Sequence, residues 1–367
     1  MSSLSIGIVG LPNVGKSTLF NALTGSNILA ANYPFATIEP NTGIVPVPDE
    51  RLTKLGEIYH TQKIVPATVT FVDIAGLVAG ASQGEGLGNQ FLSHIRSCNA
   101  IVQVVRAFED PNVLHVDEQH NPSKDIDVIN TELVLADLQT VDKRLQKFEK
   151  EARANPKLMP ILTTLQTVRA LLDDGKPVWS DASIELEHLS DLHLITAKPV
   201  IYLFNLDENG ITDDARKAEL TQLAAPSTAL FVCAKLEAEL QDLDPADAAE
   251  MLESYGQNES GLLQLIHAAY KTLGLQSYLT AGSPEVRAWT IPIGATAPQA
   301  AGVIHGDFER GFIAADIVSY PDLVAAAAQN PANPLVAAKA SGKLRTEGKT
   351  YVMQPDDIVE FKFNVSK

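Results

Sequence analysis

Residues 10–17 of this chain read GLPNVGKS, and they follow directly on the apolar run IGIV at residues 6–9. The spacing G-x-x-x-x-G-K-S between a strand and a helix is typical of a loop that binds phosphate groups. Gly10 and Gly15 permit backbone angles and a close approach that a side chain would prevent. We therefore expect successive backbone N–H groups, and the N-terminus of the helix that follows, to face the phosphates.

The polar groups of this loop have distinct expected tasks. Lys16 is expected to reach the β- and γ-phosphates of a nucleoside triphosphate, and the Ser17 hydroxyl is expected to bind Mg²⁺. A glycine loop of this length can arise by chance, but the flanking strand and helix favour a P-loop nucleoside triphosphatase. The predicted phosphate-binding residues are Asn13, Val14, Gly15, Lys16, Ser17 and Thr18.

An acidic residue for the metal ion is found farther along the chain. Residues 69–72 read VTFV, a short strand, and DIAG follows at residues 73–76, about 60 residues after the phosphate loop. Asp73 at the end of this strand is expected to bind Mg²⁺ through water, and the Gly76 N–H to contact the γ-phosphate. Together with Lys16, these are predicted catalytic residues.

A threonine between the two motifs is expected to complete the Mg²⁺ shell when the γ-phosphate is bound. Residues 32–41 read NYPFATIEPN and contain Thr37, which is the preferred candidate. Thr42 is the main alternative, and a plain turn role is the alternative for both.

Three parts of the chain differ in texture. Strand-like and helix-like segments alternate over residues 1–110 and return near residue 199, which predicts an α/β doubly wound sheet. Between them, apolar residues recur every three or four positions on both sides of Asn155 and Pro156. This spacing predicts two amphipathic helices joined as a hairpin, whose charge-rich faces are interpreted as solvated surface, with a docking role left open.

The last part of the chain reads as short strands with turns, which predicts a small α+β module. We therefore expect a P-loop nucleotide-binding domain at residues 1–125 and 197–280, a helical insertion at residues 126–196, and the module at residues 281–367.

The net charge of −17 argues against indiscriminate binding to nucleic acid, and no DNA partner is expected. Residues 281–367 are nearly neutral, with eight Lys or Arg against nine Asp or Glu, so RNA contact is better sought there. A local basic cluster in that segment is a candidate for contact with rRNA phosphates, a solvated helix end being the alternative. Its members are Lys339, Lys343, Arg345 and Lys349.

The remaining composition indicates the compartment. No run of 18 apolar residues occurs, so no membrane span is expected, and the strand close to the N-terminus leaves no room for a signal peptide. The two cysteines, Cys98 and Cys233, form no zinc pattern and no disulfide framework. We therefore expect a cytoplasmic protein.

At this point the chain resembles a known family, the Obg-like ATPases, which are the YchF subfamily of the Obg P-loop GTPases. The resemblance is carried by residues 10–21, 32–43, 73–96 and 287–302, and the three-part layout is similar over essentially the whole chain. It implies that the insertion is a coiled-coil hairpin and that the module is a ubiquitin-like TGS domain linked to RNA or ribosome contact. It also implies regulation associated with translation or stress.

The base-recognition motif departs from that of ordinary GTPases. GTPases carry N-K-x-D, in which the Asp carboxylate accepts two hydrogen bonds from guanine, whereas residues 205–208 read NLDE here. Leu206 replaces the Lys and Glu208 the Asp, so the guanine contact should be lost or strained and ATP preferred. Asn205 is a candidate to accept the adenine amino group. The resemblance implies the same preference for ATP, and Cys233 and Ala234 are predicted to form the last base-contacting loop.

Three further residues are expected to influence hydrolysis. Leu77 stands where many GTPases carry a Gln that orients the attacking water, so slow intrinsic hydrolysis is expected. In related K⁺-stimulated NTPases, an Asn at the position of Asn13 helps to hold K⁺, which stabilises charge in the transition state. His115 is a candidate to position water or transfer a proton, a surface-loop role being the alternative.

These features predict a slow, Mg²⁺-dependent ATPase that acts as a nucleotide-dependent switch and binds ribosomes or translation factors. A GTP-preferring Obg-type GTPase is one alternative. A nucleotide-gated binding protein in which hydrolysis is incidental is the other, and Leu77 keeps it open.

Overall fold

The computed structural model describes residues 4–25, 41–74, 87–109 and 121–364. Within these ranges the chain forms two compact units, each with its own six-stranded sheet. The first unit holds the described residues up to Val45 and those from Thr70 to Ala269. The second unit holds Pro46–Val69 and the residues from Tyr270 onward.

The described residues form twelve strands and thirteen α-helices. The strands are β1 (Ser5–Gly10), β2 (Thr42–Pro46), β3 (Ile64–Val65), β4 (Thr68–Asp73), β5 (Ala100–Arg106), β6 (Val200–Asn205), β7 (Thr228–Val232), β8 (Leu275–Ala281), β9 (Val286–Pro292), β10 (Phe312–Ser319), β11 (Arg345–Glu347) and β12 (Asp357–Phe363). The helices are α1 (Lys16–Gly25), α2 (Glu50–Tyr59), α3 (Leu87–Ser97), α4 (Pro122–Ala154), α5 (Met159–Asp173), α6 (Asp214–Ala224), α7 (Ala234–Leu240), α8 (Pro245–Ser254), α9 (Gly261–Thr272), α10 (Ala297–Ile304), α11 (Gly306–Arg310), α12 (Tyr320–Gln329) and α13 (Pro334–Ala340). None of these helices is both long enough and apolar enough to cross a bilayer.

The sheet of the first unit has the order β2-β4-β1-β5-β6-β7. Strand β1 pairs in parallel with β4 and β5, and β6 pairs in parallel with β5 and β7. Every residue of β5 and β6 is buried, as expected for central strands that are covered on both faces. The predicted α/β doubly wound sheet is thus confirmed, and the carboxyl ends of its strands meet at one edge, where ligands bind in such folds.

The helical insertion is a hairpin of α4 and α5, joined by a short 3-10 turn at Pro156–Leu158. Asn121 caps α4 by accepting the Ser123 and Lys124 N–H groups at 3.0 and 3.3 Å. The two helices share a buried apolar seam, as the spacing predicted. Its members include Val134, Val141, Leu145, Phe148, Ala152, Leu162, Leu165, Val168 and Leu172.

Helix α4 has 33 residues and has two different surroundings along its length. Its first half covers the sheet, where Ile129 and Leu133 are buried and Asn130 Nδ2 donates to the Tyr202 hydroxyl of β6 at 3.1 Å. Its second half forms the hairpin. One continuous helix therefore runs from the sheet of the first unit to the hairpin tip.

A buried carboxylate anchors the middle of α4. Asp137 is fully buried and accepts hydrogen bonds from the Ile195 N–H at 3.0 Å and from the Thr196 N–H and hydroxyl, both at 2.7 Å. Burial raises the pKa of Asp137, while the hydrogen bonds oppose that rise. Asp137 thus ties α4 to the segment that leads into β6.

Helix α3 is joined to the same region at its C-terminal end. The Lys198 ammonium donates to the carbonyl oxygens of Ile95 and Arg96, at 2.9 and 2.6 Å, and also to that of Cys98. A cation at a helix C-terminus interacts favourably with the helix dipole. Arg96 Nη2 in turn donates to Thr140 Oγ1 of α4 at 3.1 Å, so α3 and α4 are in direct contact.

The second unit is an α+β fold whose sheet has the order β11-β10-β12-β8-β9-β3. Strands β10 and β12, and β8 and β9, pair antiparallel, whereas β12 and β8 pair in parallel. Tyr278 is at the centre of the core, donates its hydroxyl to the Ala300 carbonyl at 2.9 Å, and packs edge-on against Phe361. Burial raises the pKa of Tyr278 strongly.

The two units divide the chain differently from the expected boundaries. Strand β8 starts at Leu275 and belongs to the second sheet, so this unit begins before residue 281. Residues 46–69 also belong to it, because β3 pairs in parallel with β9. The sequence did not reveal this since β3 has two residues and its partner is more than 200 residues away.

Candidate nucleotide-binding site

The phosphate loop connects β1 to α1 at the carboxyl edge of the first sheet. Asn13 and Gly15 have φ angles of 63° and 90°, in the left-handed region that glycine adopts without strain. The Leu19 N–H donates to the Gly15 carbonyl at 3.0 Å, so α1 begins at Lys16. The first N–H groups of a helix have no partner within it and carry its partial positive charge, which makes this turn an anion-binding site.

Glycine is required at the first position of the loop as well. A Cβ atom on Gly10 would lie 2.9 Å from Val14 Cγ2 and 3.0 Å from the Val104 carbonyl oxygen. The loop can therefore fold back tightly over the end of β1 only with hydrogen at this position.

Lys16 and Asp73 are in direct contact. The Lys16 ammonium forms an ion pair with Asp73 Oδ1, and both side chains are mostly buried. Asp73 is opposite Ile8 in the register of β4 on β1, and its N–H donates to the Asn41 carbonyl at 2.7 Å. The structure therefore brings together the predicted catalytic lysine and the predicted metal-side acid.

The residues around this ion pair fit a magnesium ion. Ser17 is exposed in the first turn of α1, and a hydroxyl and a carboxylate are the hard oxygen donors that Mg²⁺ prefers. The Lys16 ammonium shows that the Asp73 carboxylate faces a position suited to a cation. When bound there, Mg²⁺ would neutralise charge on the β- and γ-phosphates, with Ser17 as a direct ligand and Asp73 acting through water. Thr42, the alternative to Thr37, is the first residue of β2.

A cavity of about 860 Å³ extends from the phosphate loop toward the base-recognition motif. It is lined by residues from the four segments that follow β1, β5, β6 and β7. The lining residues are Asn13, Gly15, Thr18, Phe108, Glu109, Asn205, Leu206, Asp207, Glu208, Asn209, Cys233, Ala234, Lys235, Ala238, Glu239 and Asp242. Eight of the predicted nucleotide-binding residues thus line one cavity of a size typical of small-ligand sites.

The Asn205 side chain connects two loops of the cavity. Its side chain is buried, Nδ2 donates to the Val14 carbonyl at 3.0 Å, and Oδ1 accepts the Ala234 N–H at 3.0 Å. Both ends of the amide are therefore used to hold the phosphate loop against the loop after β7. The amide thus supports the walls of the cavity, and the hydrogen bond expected from the adenine amino group to Asn205 stays a prediction, since an amide oxygen has a second lone pair.

The carboxylate that replaces the GTPase aspartate is paired with a lysine. Glu208 Oε1 accepts from Lys235 Nζ at 2.6 Å, and the hydrogen bond with Glu208 raises the pKa of Lys235. Leu206, at the position of the GTPase lysine, is buried. The neighbouring Asp207 has a local role: its Oδ1 accepts the Gly210 N–H at 2.7 Å and closes the turn.

The loop after β7 is fixed from behind. Cys233 precedes α7 and is buried, and this burial raises the pKa of its thiol. Glu237 of α7 is also buried and accepts the Gly261 N–H at 2.7 Å, at the start of α9. Cys233 and Ala234 therefore contribute backbone and small side chains to a rigid wall of the cavity.

Several lining residues were not predicted from the sequence. Phe108 follows β5, and the Arg106 guanidinium lies 4.5 Å from the centre of its ring, which orients an aromatic side chain beside the cavity. An aromatic residue just after a central strand is a signal that could have identified it. The pairing of Lys235 with Glu208 was not predicted either. Thr37, Gly76 and His115 lie outside the described residues, so their roles stay predictions.

The predicted basic cluster of the second unit is partly neutralised within that unit. Lys343 Nζ lies 3.2 Å from Asp322, and Arg345 Nη1 lies 3.4 Å from Glu347. The Arg345 guanidinium also lies over the Tyr351 ring. Close acids reduce the field that such a cluster offers to RNA phosphates.

Comparison with known proteins agrees with this geometry. Residues 5–162 match a family model described as "50S ribosome-binding GTPase", and residues 275–364 match the YchF GTPase C-terminal model, described as a protein of unknown function. The ribosome-binding ATPase YchF of Bacillus subtilis is 48% identical over 371 residues, which cover 99% of this chain and 100% of the relative. The Pasteurella multocida protein of the same name is 47% identical, with 98% and 99% covered.

A solved structure shows the same likeness in three dimensions. The Schizosaccharomyces pombe YchF GTPase superposes with a TM-score of 0.84 and 39% identity, over 98% of both chains. Because the likeness in sequence and in structure extends over nearly the full length of each protein, this chain belongs to the YchF subfamily of the Obg-like P-loop nucleotide hydrolases.

Proposed function

We propose that this chain is a Mg²⁺-dependent ATPase of the cytoplasm that hydrolyses ATP to ADP and phosphate slowly and binds the ribosome according to its nucleotide state. The relatives named ribosome-binding ATPase support both activities, since they match this chain from end to end. The phosphate loop, the Lys16–Asp73 pair and the adjoining cavity supply the groups that the reaction needs.

The Glu208–Lys235 ion pair is the observation that carries the preference for ATP. Guanine offers two N–H donors to one carboxylate, and that carboxylate must be free to accept both. Here the carboxylate already accepts from an ammonium group, and its side chain is one methylene longer than aspartate. A site that cannot pair with the donors of guanine rejects it strongly, whereas adenine makes no such demand.

The chain's own residues then divide the chemical task. Lys16 binds the β- and γ-phosphates, the α1 N-terminus stabilises their charge, and Ser17 and Asp73 hold the metal. Leu77 cannot orient water, which is why we propose slow turnover. We propose that Asn13 helps to hold K⁺ and that His115 positions water. Equal turnover in K⁺ and Na⁺ at matched ionic strength would exclude the first role, and unchanged turnover of H115A would exclude the second.

Calorimetric titration with non-hydrolysable ATP and GTP analogues in Mg²⁺ tests the base preference. We expect the wild-type chain to bind the ATP analogue at least about tenfold more tightly, and L206K/E208D to gain affinity for the GTP analogue. The variant S183A changes an exposed residue of the hairpin base and serves as the control. Comparable affinities of the wild-type chain for both analogues, or a preference for GTP, would contradict the proposal.

The ribosome is the proposed partner, and rRNA contact through residues 281–367 is part of that proposal. The second unit is close to neutral, which permits approach to RNA. However, Lys343 and Arg345 already have acidic neighbours, so this unit offers RNA few unpaired charges.

A further inference from the structure

The hairpin tip has a charge opposite to that of the rest of the chain. Residues 143–157 contain six Lys or Arg and two Glu, a net charge of +4, whereas the remaining residues sum to −21. A segment of 15 residues therefore holds more than a fifth of all the basic residues. The basic residues of this segment are Lys143, Arg144, Lys147, Lys150, Arg153 and Lys157.

Three of these lysines form a stripe on the outer face of α4. At about 100° per residue, Lys143, Lys147 and Lys150 fall within an arc of roughly 60°. The seam residues Val141, Leu145, Phe148 and Ala152 lie on the opposite side of the helix. All three lysines are exposed, and the stripe extends over roughly 10 Å of helix.

The stripe lacks the acidic partners that lysines have elsewhere in this protein. Lys143, Lys147 and Lys150 form no ion pair with any residue in the described ranges. Lysines on other surfaces do form such pairs, for example Lys54 with Glu57 and Lys217 with Asp214. The positive charge of the tip is therefore directed outward.

The backbone at the hairpin tip adds to the positive electrostatic potential of the lysines. Helix α5 begins there at Met159, has no side-chain N-cap and has no acidic residue in its first turn. The N-terminus of a 15-residue helix carries a partial positive charge. The hairpin thus presents a helix N-terminus beside unpaired lysines, Arg153 and Lys157.

We infer that the outer face of the hairpin tip, defined by Lys143, Lys147 and Lys150, binds the phosphate backbone of structured RNA. Closely spaced cations without intervening apolar side chains match the regularly spaced negative charges of a phosphate backbone. A protein partner would more often require an apolar centre, whereas the exposed residues that border the stripe on α4 are the polar Gln139, Gln146 and Glu151. The acidic remainder of the chain repels RNA, which favours approach by the tip first.

This inference deepens the proposed function and rests on it, since ribosomal RNA would be the RNA contacted. It differs from the expectation that RNA contact belongs to residues 281–367, where acids lie beside the basic cluster.

The test compares the full chain with K143Q/K147Q/K150Q, because glutamine keeps a high helix propensity while removing three charges. Binding to purified ribosomes with ATP and Mg²⁺ is measured by sedimentation, and binding to a short rRNA duplex by fluorescence anisotropy, at about 50–200 mM salt. We expect the variant to bind both at least about tenfold more weakly at the lower salt. The slope of log K against log salt should decrease by about 2 to 3.

The control K54Q/K176Q/K217Q removes the same charge from lysines that pair with acids, and it should keep the wild-type slope. Circular dichroism melting verifies that both variants fold. Wild-type affinity and slope in the stripe variant would overturn the inference, and so would weaker binding with an unchanged slope, which would indicate a protein contact. A further outcome separates the two proposals. If the wild-type chain binds neither ribosomes nor nucleotide, but binds the duplex more tightly than the stripe variant does, the RNA-binding surface is supported and the proposed switch function is contradicted.

Discussion

The Asn205 side chain connects two loops of the first unit that are far apart in sequence. One amide group accepts from Ala234 and donates to Val14, 191 residues away from it along the chain. The residue therefore determines the width of the cavity at the point where the phosphate loop meets the last base loop. Its backbone also contributes, since its carbonyl accepts the Ala107 N–H at 2.8 Å.

Replacing this amide should affect both stability and binding. In N205A, the buried Val14 carbonyl and Ala234 N–H lose their partner, which should cost about 2–4 kcal/mol of unfolding free energy. ATP affinity should fall as well, because the phosphate loop loses its support. Urea denaturation and calorimetry measure the two effects, with N209A, an exposed neighbour in the same cavity wall, as the control. An unchanged midpoint together with unchanged affinity would show that Asn205 is not a support.

Lys235 should control base preference through Glu208. In K235A the Glu208 carboxylate is no longer engaged and becomes available to the N–H donors of guanine. We expect the ratio of ATP to GTP affinity to fall roughly threefold or more, since a free carboxylate is a strong acceptor. K217A removes a lysine that pairs with Asp214, away from the cavity, and should leave the ratio unchanged. The same ratio in K235A and wild type would argue against this role.

At the scale of elements, one buried carboxylate helps to anchor the hairpin. Asp137 satisfies two backbone N–H groups and a hydroxyl that have lost access to water. The exposed charges of α4 and α5 contribute less, because solvent screens them. Asp137 is therefore a principal polar anchor between α4 and the segment that leads into β6.

The variant D137A should be strongly destabilised. We expect a loss of about 3–4 kcal/mol in unfolding free energy, because buried donors at Ile195 and Thr196 are left without a partner. D142A, which removes an exposed carboxylate of the same helix paired with Arg169, should cost less than about 1 kcal/mol. Urea denaturation monitored by circular dichroism compares the two. Similar costs for both variants would contradict the anchoring role.

Some elements of the fold could be predicted from the sequence and others could not. Strands β1 and β4 were identified by the apolar runs at residues 6–9 and 69–72, β6 by the return of the α/β pattern near residue 199, and the hairpin by its 3-4 spacing. Strand β3 was missed because two residues give no periodicity, and β11 because its sequence RTE is polar. In the site, the motif residues were found from local spacing. The Asn205 support and the Glu208–Lys235 pair depend on hydrogen bonds between segments distant in sequence, which no local pattern contains.

At the scale of the whole molecule, net charge is the dominant feature. A charge of −17 on 367 residues produces self-repulsion in the compact state. Because the basic hairpin tip holds about a fifth of the Lys and Arg residues, the rest of the chain is more acidic than the total indicates.

Moderate salt should therefore stabilise the nucleotide-free protein. Raising ionic strength from about 0.01 to 0.1 M shortens the Debye length from about 30 to 10 Å, and we expect Tm to rise by a few degrees. Differential scanning calorimetry with NaCl and with choline chloride should give equal shifts, since screening does not depend on the cation. A fall in Tm would show that surface ion pairs outweigh the repulsion.

The continuous helix α4 has a mechanical consequence. If Asp137 is taken as a fulcrum, Arg96 of α3 contacts the arm at Thr140, and the arm ends at Ala154. Along the axis these points lie about 4.5 and 25 Å from the fulcrum. A rigid lever of these proportions would turn a 1 Å push from α3 at Thr140 into a swing of roughly 6 Å at the far end.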